Sequence, residues 1–299
     1  MSAQTMTLKD PNQVHERYQH LKREKPKLRA RDAARELGVS EAELLAARVG
    51  DEIVRLEGDF ADVIRAMPSL GTIMCLTRNG GCVHEKHGEF DKISIGPGHG
   101  IVLNHHIDLR LFMSHWRYGF AVKEEVASGV RRSLQFFDID GSAVHKVYMP
   151  VDADMAPLDE MISRFRAADQ QAPLTIMPLP AAKKETPDAD VDQSGFLAHW
   201  EALQDTHDFF GLLAQFGIQR RQSMRLAEGQ FTRKIETDSV EEMLNQAASN
   251  QLPIMCFAGN PGCIQIHTGP VETIKIMGPW LNVLDPTFNL HFRPPACQS

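Results

Sequence analysis

The 299-residue sequence has no apolar run that approaches the roughly 20 residues needed to cross a bilayer. Its N-terminus, MSAQTMTLKDPNQ, lacks the apolar core of a secretory signal. The chain has only five cysteines, an odd number, which argues for reduced thiols rather than a disulfide framework. No dominant basic stretch offsets the net charge of -7, so a nucleic-acid partner is not expected. These absences predict a cytoplasmic protein without membrane insertion.

The sequence also lacks the short motifs of common nucleotide-binding and hydrolytic sites. It contains no Gly-x-Ser-x-Gly, P-loop or dinucleotide fingerprint. His84 and His87 are three residues apart in a predicted strand and project to opposite faces, which excludes a helical zinc-protease site. The C-x6-C spacing that begins at Cys75 and recurs at Cys256 is used by no common zinc framework. We interpret these cysteines as residues packed inside strands.

What the sequence does contain is an internal duplication. Residues 73–95, IMCLTRNGGCVHEKHGEFDKISI, align without a gap with residues 254–276, IMCFAGNPGCIQIHTGPVETIKI, at an offset of 181. Nine of the 23 positions are identical. At the same offset Arg110 meets His291, so the register continues downstream. Such a repeat predicts two copies of one structural unit.

Each copy is predicted to consist of helices followed by strands. Residues 34–50 and 213–229 share their apolar pattern and their closing glycine. Ser40 and Glu43 form a capping-box pattern that starts a helix. From Thr72 onward the period changes to two, with an Asn-Gly turn, which indicates an antiparallel meander that continues to Tyr148. The predicted fold is therefore α+β, a tandem duplication of helices and a curved antiparallel sheet.

The predicted boundaries place the first repeat at residues 12–169 and the second at 195–299. Residues 170–194 contain four prolines and a polar run, which is typical of an exposed linker. Adding 181 to the number of Trp116 reaches Cys297, so residues 116–150 have no counterpart in this sequence. We therefore expect an incomplete second copy with an exposed sheet edge.

Residues 200–213, WEALQDTHDFFGLL, place one histidine on an apolar stripe. Spacings of three, four and three put four residues on one face of a predicted helix: Trp200, Leu203, His207 and Phe210. A histidine satisfied in the core and an axial ligand of haem iron both fit this pattern. Side chains available for the walls of a haem pocket and for its propionates are Phe209, Phe210, Arg220 and Arg221. Spacing alone leaves both interpretations open.

These segments resemble the bacterial haemin-degrading factor and cytoplasmic haem-trafficking family. The similarity covers about residues 14–292 and includes TRNGGCVHEKHG, IDLRLFMSHW, WEALQDTHDFFGLL, GNPGCIQIHTGPVETIK and GPWLNVLDPTFNLHF. The resemblance implies that each half carries a long curved antiparallel sheet and that the two sheets stack.

The resemblance also implies a set of haem-binding residues. His207 matches the axial histidine of a D-x-H-x-F-F motif. Arg110 matches the arginine of a D-L-R-L-F motif, which faces the distal side or a propionate of the haem. His84 matches a V-H-E histidine implicated in a second haem site, and Arg220 matches an arginine on the propionate side. The predicted set is completed by two aromatic residues, Phe209 and Phe210.

The function implied by the resemblance is that of a cytoplasmic haem-binding protein in haem utilisation and iron acquisition. Such a protein holds imported haem b through His207 and delivers it for degradation or iron release. One alternative is an enzyme with haem oxygenase-like activity, whose chemistry resides mainly in the cofactor. A second alternative is a truncated remnant that binds haem weakly. The expected partners are haem and either a haem importer or a haem oxygenase.

Overall fold

The computed structural model describes residues 10–50, 52–126, 129–181, 184–205 and 208–294. The α-helices of these residues are α1 (Pro11–Glu24), α2 (Ala30–Leu37), α3 (Glu41–Ala46), α4 (Phe60–Ala66), α5 (Ala156–Phe165), α6 (Gln193–Glu201), α7 (Phe209–Phe216), α8 (Arg220–Leu226) and α9 (Ser239–Ser249). The strands of the first copy are β1 (Ile53–Leu56), β2 (Ile73–Arg78), β3 (Cys82–Gly88), β4 (Ile93–Ile95), β5 (His99–Leu103), β6 (Asp108–Phe112), β7 (Tyr118–Val126), β8 (Gly129–Phe137) and β9 (Ala143–Tyr148). Those of the second copy are β10 (Ile254–Asn260), β11 (Cys263–Gly269), β12 (Ile274–Met277), β13 (Trp280–Leu284) and β14 (Phe288–Phe292).

Local sequence signals explain where several helices begin and end. The predicted capping box at α3 is confirmed, because the Ser40 hydroxyl accepts from the Glu43 backbone and the Glu43 carboxylate accepts from the Ser40 backbone. Helices α2 and α7 end at equivalent glycines, Gly38 and Gly217, both in the left-handed conformation that glycine adopts at low cost. No helix within the described ranges is long and apolar enough to span a membrane.

The strands form two antiparallel sheets, and each sheet contains strands from both copies. The nine-stranded sheet has the order β1-β7-β8-β9-β2-β3-β14-β13-β12, and the five-stranded sheet has the order β10-β11-β6-β5-β4. The α+β prediction is confirmed, whereas the prediction of one continuous meander is wrong. Strands β4 to β6 leave the sheet of the first copy and join the second through β11. Period-two alternation specifies which faces of a strand are buried but not which strand lies beside it.

The main core lies between the two stacked sheets. It joins Leu109, Leu111 and Cys263 of the five-stranded sheet to side chains such as Cys75 and Leu134 of the nine-stranded sheet, all of them buried. This burial confirms the packing role expected for Cys75. Both sheets belong to one compact unit, formed by the described residues of 1–179 and 243–296.

A second compact unit comprises the described residues of 180–242. Helices α6, α7 and α8 enclose its own small apolar core, in which Phe196, Leu212 and Leu226 are buried. The rings of Phe196 and Trp200 meet edge to face at 5.5 Å, a geometry that aromatic pairs favour.

Two asparagines at equivalent positions link the turns of the two copies. The Asn79 side-chain amide donates to the Gly259 carbonyl at 3.0 Å, and the Asn260 amide donates to the Arg78 carbonyl at 3.1 Å. Both pairs of residues differ by 181 in number, so the same hydrogen bond is made twice. The Asn79 oxygen also accepts from the N–H groups of Gly81 and Cys82, at 2.9 Å each. The duplicated sequence therefore produces a locally two-fold arrangement.

The segment 200–213 is not one helix, so the prediction of a shared face from Trp200 to Phe210 is wrong. Helix α6 ends at Glu201 and α7 begins at Phe209. Aspartates interrupt the helix because their short side chains favour turns and helix starts. Asp208 is the N-cap of α7, and its backbone N–H donates to the Asp205 carbonyl at 3.1 Å.

Candidate functional site

The outer face of the five-stranded sheet is largely apolar, and β10 and β5 expose apolar side chains on it, whereas Ile266 of β11 is buried. Strand register aligns Phe257, Ile266, Asp108 and Leu103 in one row across β10, β11, β6 and β5. Met255 and Phe257 are 57% and 59% exposed, and the exposed apolar residues of β5 are Ile101 and Leu103. Single exposed apolar residues are ordinary, but several on one sheet face make that face a candidate binding surface.

The sequence of β6, DLRLF, explains how a cation reaches this apolar surface. Leu109 and Leu111 point inward and are buried, so Asp108, Arg110 and Phe112 lie on the outer face. Arg110 lies opposite Ile264 of β11 and Ile101 of β5, and therefore has apolar neighbours on both sides. The alternation of DLRLF thus accounts for the outward position of Arg110.

Arg110 is held close to its own strand in this structure. Its guanidinium forms an ion pair with Asp108 and donates to the Leu109 carbonyl at 3.3 Å. The side chain is about one-third exposed, whereas that of Asp108 is largely covered. A guanidinium on an apolar surface can donate two parallel hydrogen bonds to a carboxylate of an amphipathic ligand. Sequence reasoning assigned no role to Asp108, although this residue lies beside Arg110 on the same face.

His84 lies in a different environment from Arg110. It points between the two sheets, is fully buried, and its ring lies 4.9 Å from that of Phe288. Burial, followed by the nearby charges of His267 and Lys86, lowers the pKa of His84 to about 3. A neutral imidazole is therefore enclosed in the sandwich, and a ligand would reach it only after the sheets part. His87 faces the opposite side of β3, as predicted.

The residue equivalent to His84 in the second copy is also polar and points between the two sheets. The counterpart of His84 is Gln265, which is buried. Its amide donates to the carbonyls of Cys75 and His84, at 3.2 and 3.3 Å. A polar side chain in this position thus bridges backbone groups of the facing sheet. His84 makes no such bridge, because neither of its ring nitrogens has a hydrogen-bond partner among the described residues.

Sequence reasoning missed a buried cluster around Phe288. His267 stacks on Phe288 with the ring centroids 3.8 Å apart, and the Lys86 ammonium lies 2.8 Å from His267 Nδ1. Burial and then the Lys86 charge lower the pKa of His267 to about 4. Lys86 and His267 occupy equivalent positions at the offset of 181. This equivalence is the feature of the sequence that could have indicated that the two residues are related.

The predicted residues of the second unit have separate environments. Phe209 packs on Trp200 with their ring centroids 4.7 Å apart, whereas Phe210 is 65% exposed. Arg220 and Arg221 are exposed at the start of α8. A cation there is disfavoured by the helix dipole, so the position of Arg220 has no evident stabilising role. His207 lies outside the described residues.

The described residues contain no group of three or more His, Cys, Asp or Glu side chains that could hold a metal ion. A site built only from protein ligands needs such a group, whereas haem iron needs one axial side chain because the macrocycle supplies the other nitrogens. The outer face of the five-stranded sheet therefore offers a ligand an apolar surface and one cation, Arg110, whose charge is balanced by Asp108.

The chain is similar to known proteins over most of its length. A family model described as the haemin-degrading HemS.ChuX domain matches residues 38–165 and again residues 217–299. The hemin transport protein HmuS of Yersinia pestis is 36% identical over 279 residues, which are 93% of this chain and 80% of the relative. The two matches of one family model confirm the duplication.

Two solved structures resemble the whole fold. Holo-PhuS, a heme-binding protein from Pseudomonas aeruginosa, has a TM-score of 0.92 and 43% identity, covering 96% of this chain and 84% of its own. The heme degrading enzyme ChuS of Escherichia coli O157:H7 has a TM-score of 0.87 and 35% identity, covering 96% and 83%.

Proposed function

Because the chain belongs to the haemin-degrading HemS/ChuX family, we propose that it is a haem-binding protein of haem utilisation. It holds haem b as cargo in the cytoplasm and delivers it for degradation or iron release. Its relatives support this proposal, since HmuS is named a hemin transport protein and PhuS is described as a heme-binding protein. The donor and acceptor partners we propose are a haem importer and a haem oxygenase.

The observation that carries the proposal is the outer face of the five-stranded sheet. A haem has two flat apolar faces and two carboxylates, so it needs an apolar surface and cations. Phe257, Ile264 and Leu103 provide the surface, and Arg110 provides a cation for a propionate or for the distal side. If Arg110 left Asp108 and paired with an anionic group of the ligand, its charge would remain balanced.

The remaining predicted residues take roles that their chemistry permits. His207 supplies the axial nitrogen, and Arg220, which is exposed, pairs with a propionate. Phe209 holds α7 against Trp200, while the exposed ring of Phe210 contacts the macrocycle. We retain His84 as a second-site residue only for a state in which the two sheets have parted.

Titration with haemin, followed by visible absorption, tests the proposal. We expect a saturating Soret shift in the wild-type protein, an altered spectrum in His207→Ala and weaker binding in Arg110→Ala. His105→Ala is the matched control, because His105 is an exposed histidine that the proposal does not use. Absence of any Soret shift in the wild-type protein would overturn haem binding and favour the weakly binding remnant.

Haem degradation is the second candidate function, since ChuS is described as a heme degrading enzyme. Reductant and oxygen are supplied to the haem-loaded protein in the presence of catalase, and tetrapyrrole products are measured. Accumulation of a tetrapyrrole while catalase removes free peroxide would establish the enzyme. Intact haem that passes to an added haem oxygenase would support the carrier.

A further inference from the structure

The outer face of the nine-stranded sheet carries a histidine at the position equivalent to Arg110. This residue, His291, lies on β14 between Asn282 of β13 and Val83 of β3. Its neighbours along the strand, Leu290 and Phe292, are buried on the inner side, so His291 points to the outer side. The two copies thus place different side chains, a guanidinium and an imidazole, at corresponding points of their outer faces.

The tautomer of His291 is fixed by a buried asparagine. The Asn282 amide nitrogen donates to the carbonyls of Lys275 and Trp280, at 2.9 and 3.0 Å. The amide oxygen is thereby turned toward His291, whose Nδ1 lies 2.7 Å away. Since an amide oxygen only accepts, the ring proton is on Nδ1 and the lone pair is on Nε2. A ring held through Nδ1–H by an oxygen is how proteins orient a metal-ligating histidine.

Apolar and cationic groups lie near His291 on the same face, together with Asn289 and with Glu85, which lies opposite Asn289 in β3. Trp280 lies one pleat along β13 and is covered on one side by Arg293, whose guanidinium carbon is 4.4 Å from the ring centroid. Met277, opposite Trp280 in β12, is 53% exposed. Lys275, opposite Asn282, is also exposed. The face therefore combines one ligating nitrogen, an aromatic wall and two cations.

These features select the class of ligand. One imidazole, without further ligating side chains, does not make a protein-only metal site, and the described residues hold no larger ligand group. One axial nitrogen is sufficient for an iron porphyrin, and Trp280 and the cations suit its macrocycle and propionates. We propose that His291 Nε2 is the axial ligand of a second haem site on the outer face of the nine-stranded sheet. This site uses neither His207 nor the buried His84.

The number of haemin equivalents bound per protein chain, measured by titration, tests the second site. The wild-type protein should bind two equivalents, His291→Ala one, His207→Ala one, and the double variant none. Free imidazole should restore the second equivalent to His291→Ala, which a merely misfolded variant would not show. Asn282→Leu keeps the imidazole but removes its orienting acceptor, so second-site affinity should fall by about tenfold. His105→Ala serves again as the matched control.

The outcomes separate this inference from the proposed function. A wild-type protein that saturates at one equivalent, lost in His207→Ala, would overturn the second site and leave the first intact. A second equivalent that persists in His291→Ala would also overturn it. No haem uptake by the wild-type protein would overturn both proposals.

Discussion

The two copies agree where they hold the sheets together and differ at the positions that we propose bind a ligand. Asn79 and Asn260 make the same hydrogen bond to the opposite copy, at 3.0 and 3.1 Å. In contrast, the first residue of α3 is Glu41, and the equivalent first residue of α8 is Arg220. Glu41 is largely covered and paired, whereas Arg220 is exposed. The same position of the repeat is thus a covered, paired carboxylate in one copy and an exposed guanidinium in the other.

The outer faces of the two sheets also differ between the copies at equivalent positions. Arg110 with Asp108 corresponds to His291 with Asn289, while the inward neighbours of both central residues remain leucine or phenylalanine. Inward positions are constrained by close packing, because a volume change there leaves a cavity or forces neighbours apart. Outward positions are free of that constraint, so the copies differ there in charge and ligand chemistry.

The largest effect on stability is expected from Glu41→Gln. The Glu41 carboxylate pairs with Arg78 and with Lys146, the latter at 3.2 Å, and joins α3 to β2 and β9. Burial alone would raise the pKa of Glu41, but the charges of Lys146 and Arg78 outweigh it and lower that pKa. The variant leaves two covered cations without their counter-ion, so the free energy of unfolding should fall by about 3 kcal/mol. Urea unfolding measures this, and a loss below about 1 kcal/mol would contradict the account.

A smaller and unequal loss is expected from the two asparagines. Asn260 makes four hydrogen bonds in a half-buried site: its amide donates to Arg78 and Val144, and its oxygen accepts from Gly262 and Cys263. Asn79 is exposed and lacks the counterpart of the Val144 bond. We expect Asn260→Ala to lower the free energy of unfolding by about 2 kcal/mol and Asn79→Ala by about 1 kcal/mol. Equal losses in parallel urea titrations would show that burial does not distinguish the sites.

His84→Gln makes the first copy resemble the second, which has Gln265. Since the pKa of His84 is lowered to about 3, the unfolded chain takes up a proton near its ordinary pKa of 6.5 that the native protein does not. This group therefore removes stability as the pH falls below 6.5. Between pH 7 and pH 5 the wild-type protein should lose about 2 kcal/mol more than the variant. The unfolding free energies at both pH values measure this, and identical losses would refute it.

The smallest effect on stability is expected from Arg220→Ala. Arg220 is exposed at the start of α8, so its removal should change the free energy of unfolding by less than about 0.5 kcal/mol. If it pairs with a propionate, haemin affinity should nevertheless fall several-fold. Equilibrium titration of the folded variant measures the affinity, with Arg233→Ala as an exposed arginine control. Unchanged affinity would remove Arg220 from the proposed site.

Local features of this fold could be predicted from the sequence because their causes are local. The capping box at Ser40 and the opposite orientations of His84 and His87 depend only on nearby residues. The outward position of Arg110 has an equally local cause, the alternation of DLRLF. The offset of 181 further predicted which residues of the two copies correspond.

The exchange of strands between the sheets could not be predicted in this way. Nothing within DLRLF specifies that β6 pairs with β11, because that choice depends on packing over distances of more than 150 residues along the chain. The Asn-Gly turn at Asn79 was expected, but its bond to the second copy required the tertiary arrangement. The interruption of the 200–213 helix does not follow from its apolar stripe, because the stripe carries no information about the two turn-forming aspartates, Asp205 and Asp208.

The central claim is that the outer face of the five-stranded sheet binds haem, and Phe257→Glu tests it most directly. Phe257 is 59% exposed, so a charge there should leave the fold intact while opposing an apolar ligand. Ile235→Glu, at a residue 58% exposed in the second unit, is the matched control. In parallel haemin titrations we expect Phe257→Glu to lose about tenfold in affinity, about 1.4 kcal/mol, and Ile235→Glu to match the wild-type protein. Wild-type affinity in a folded Phe257→Glu protein would contradict the claim.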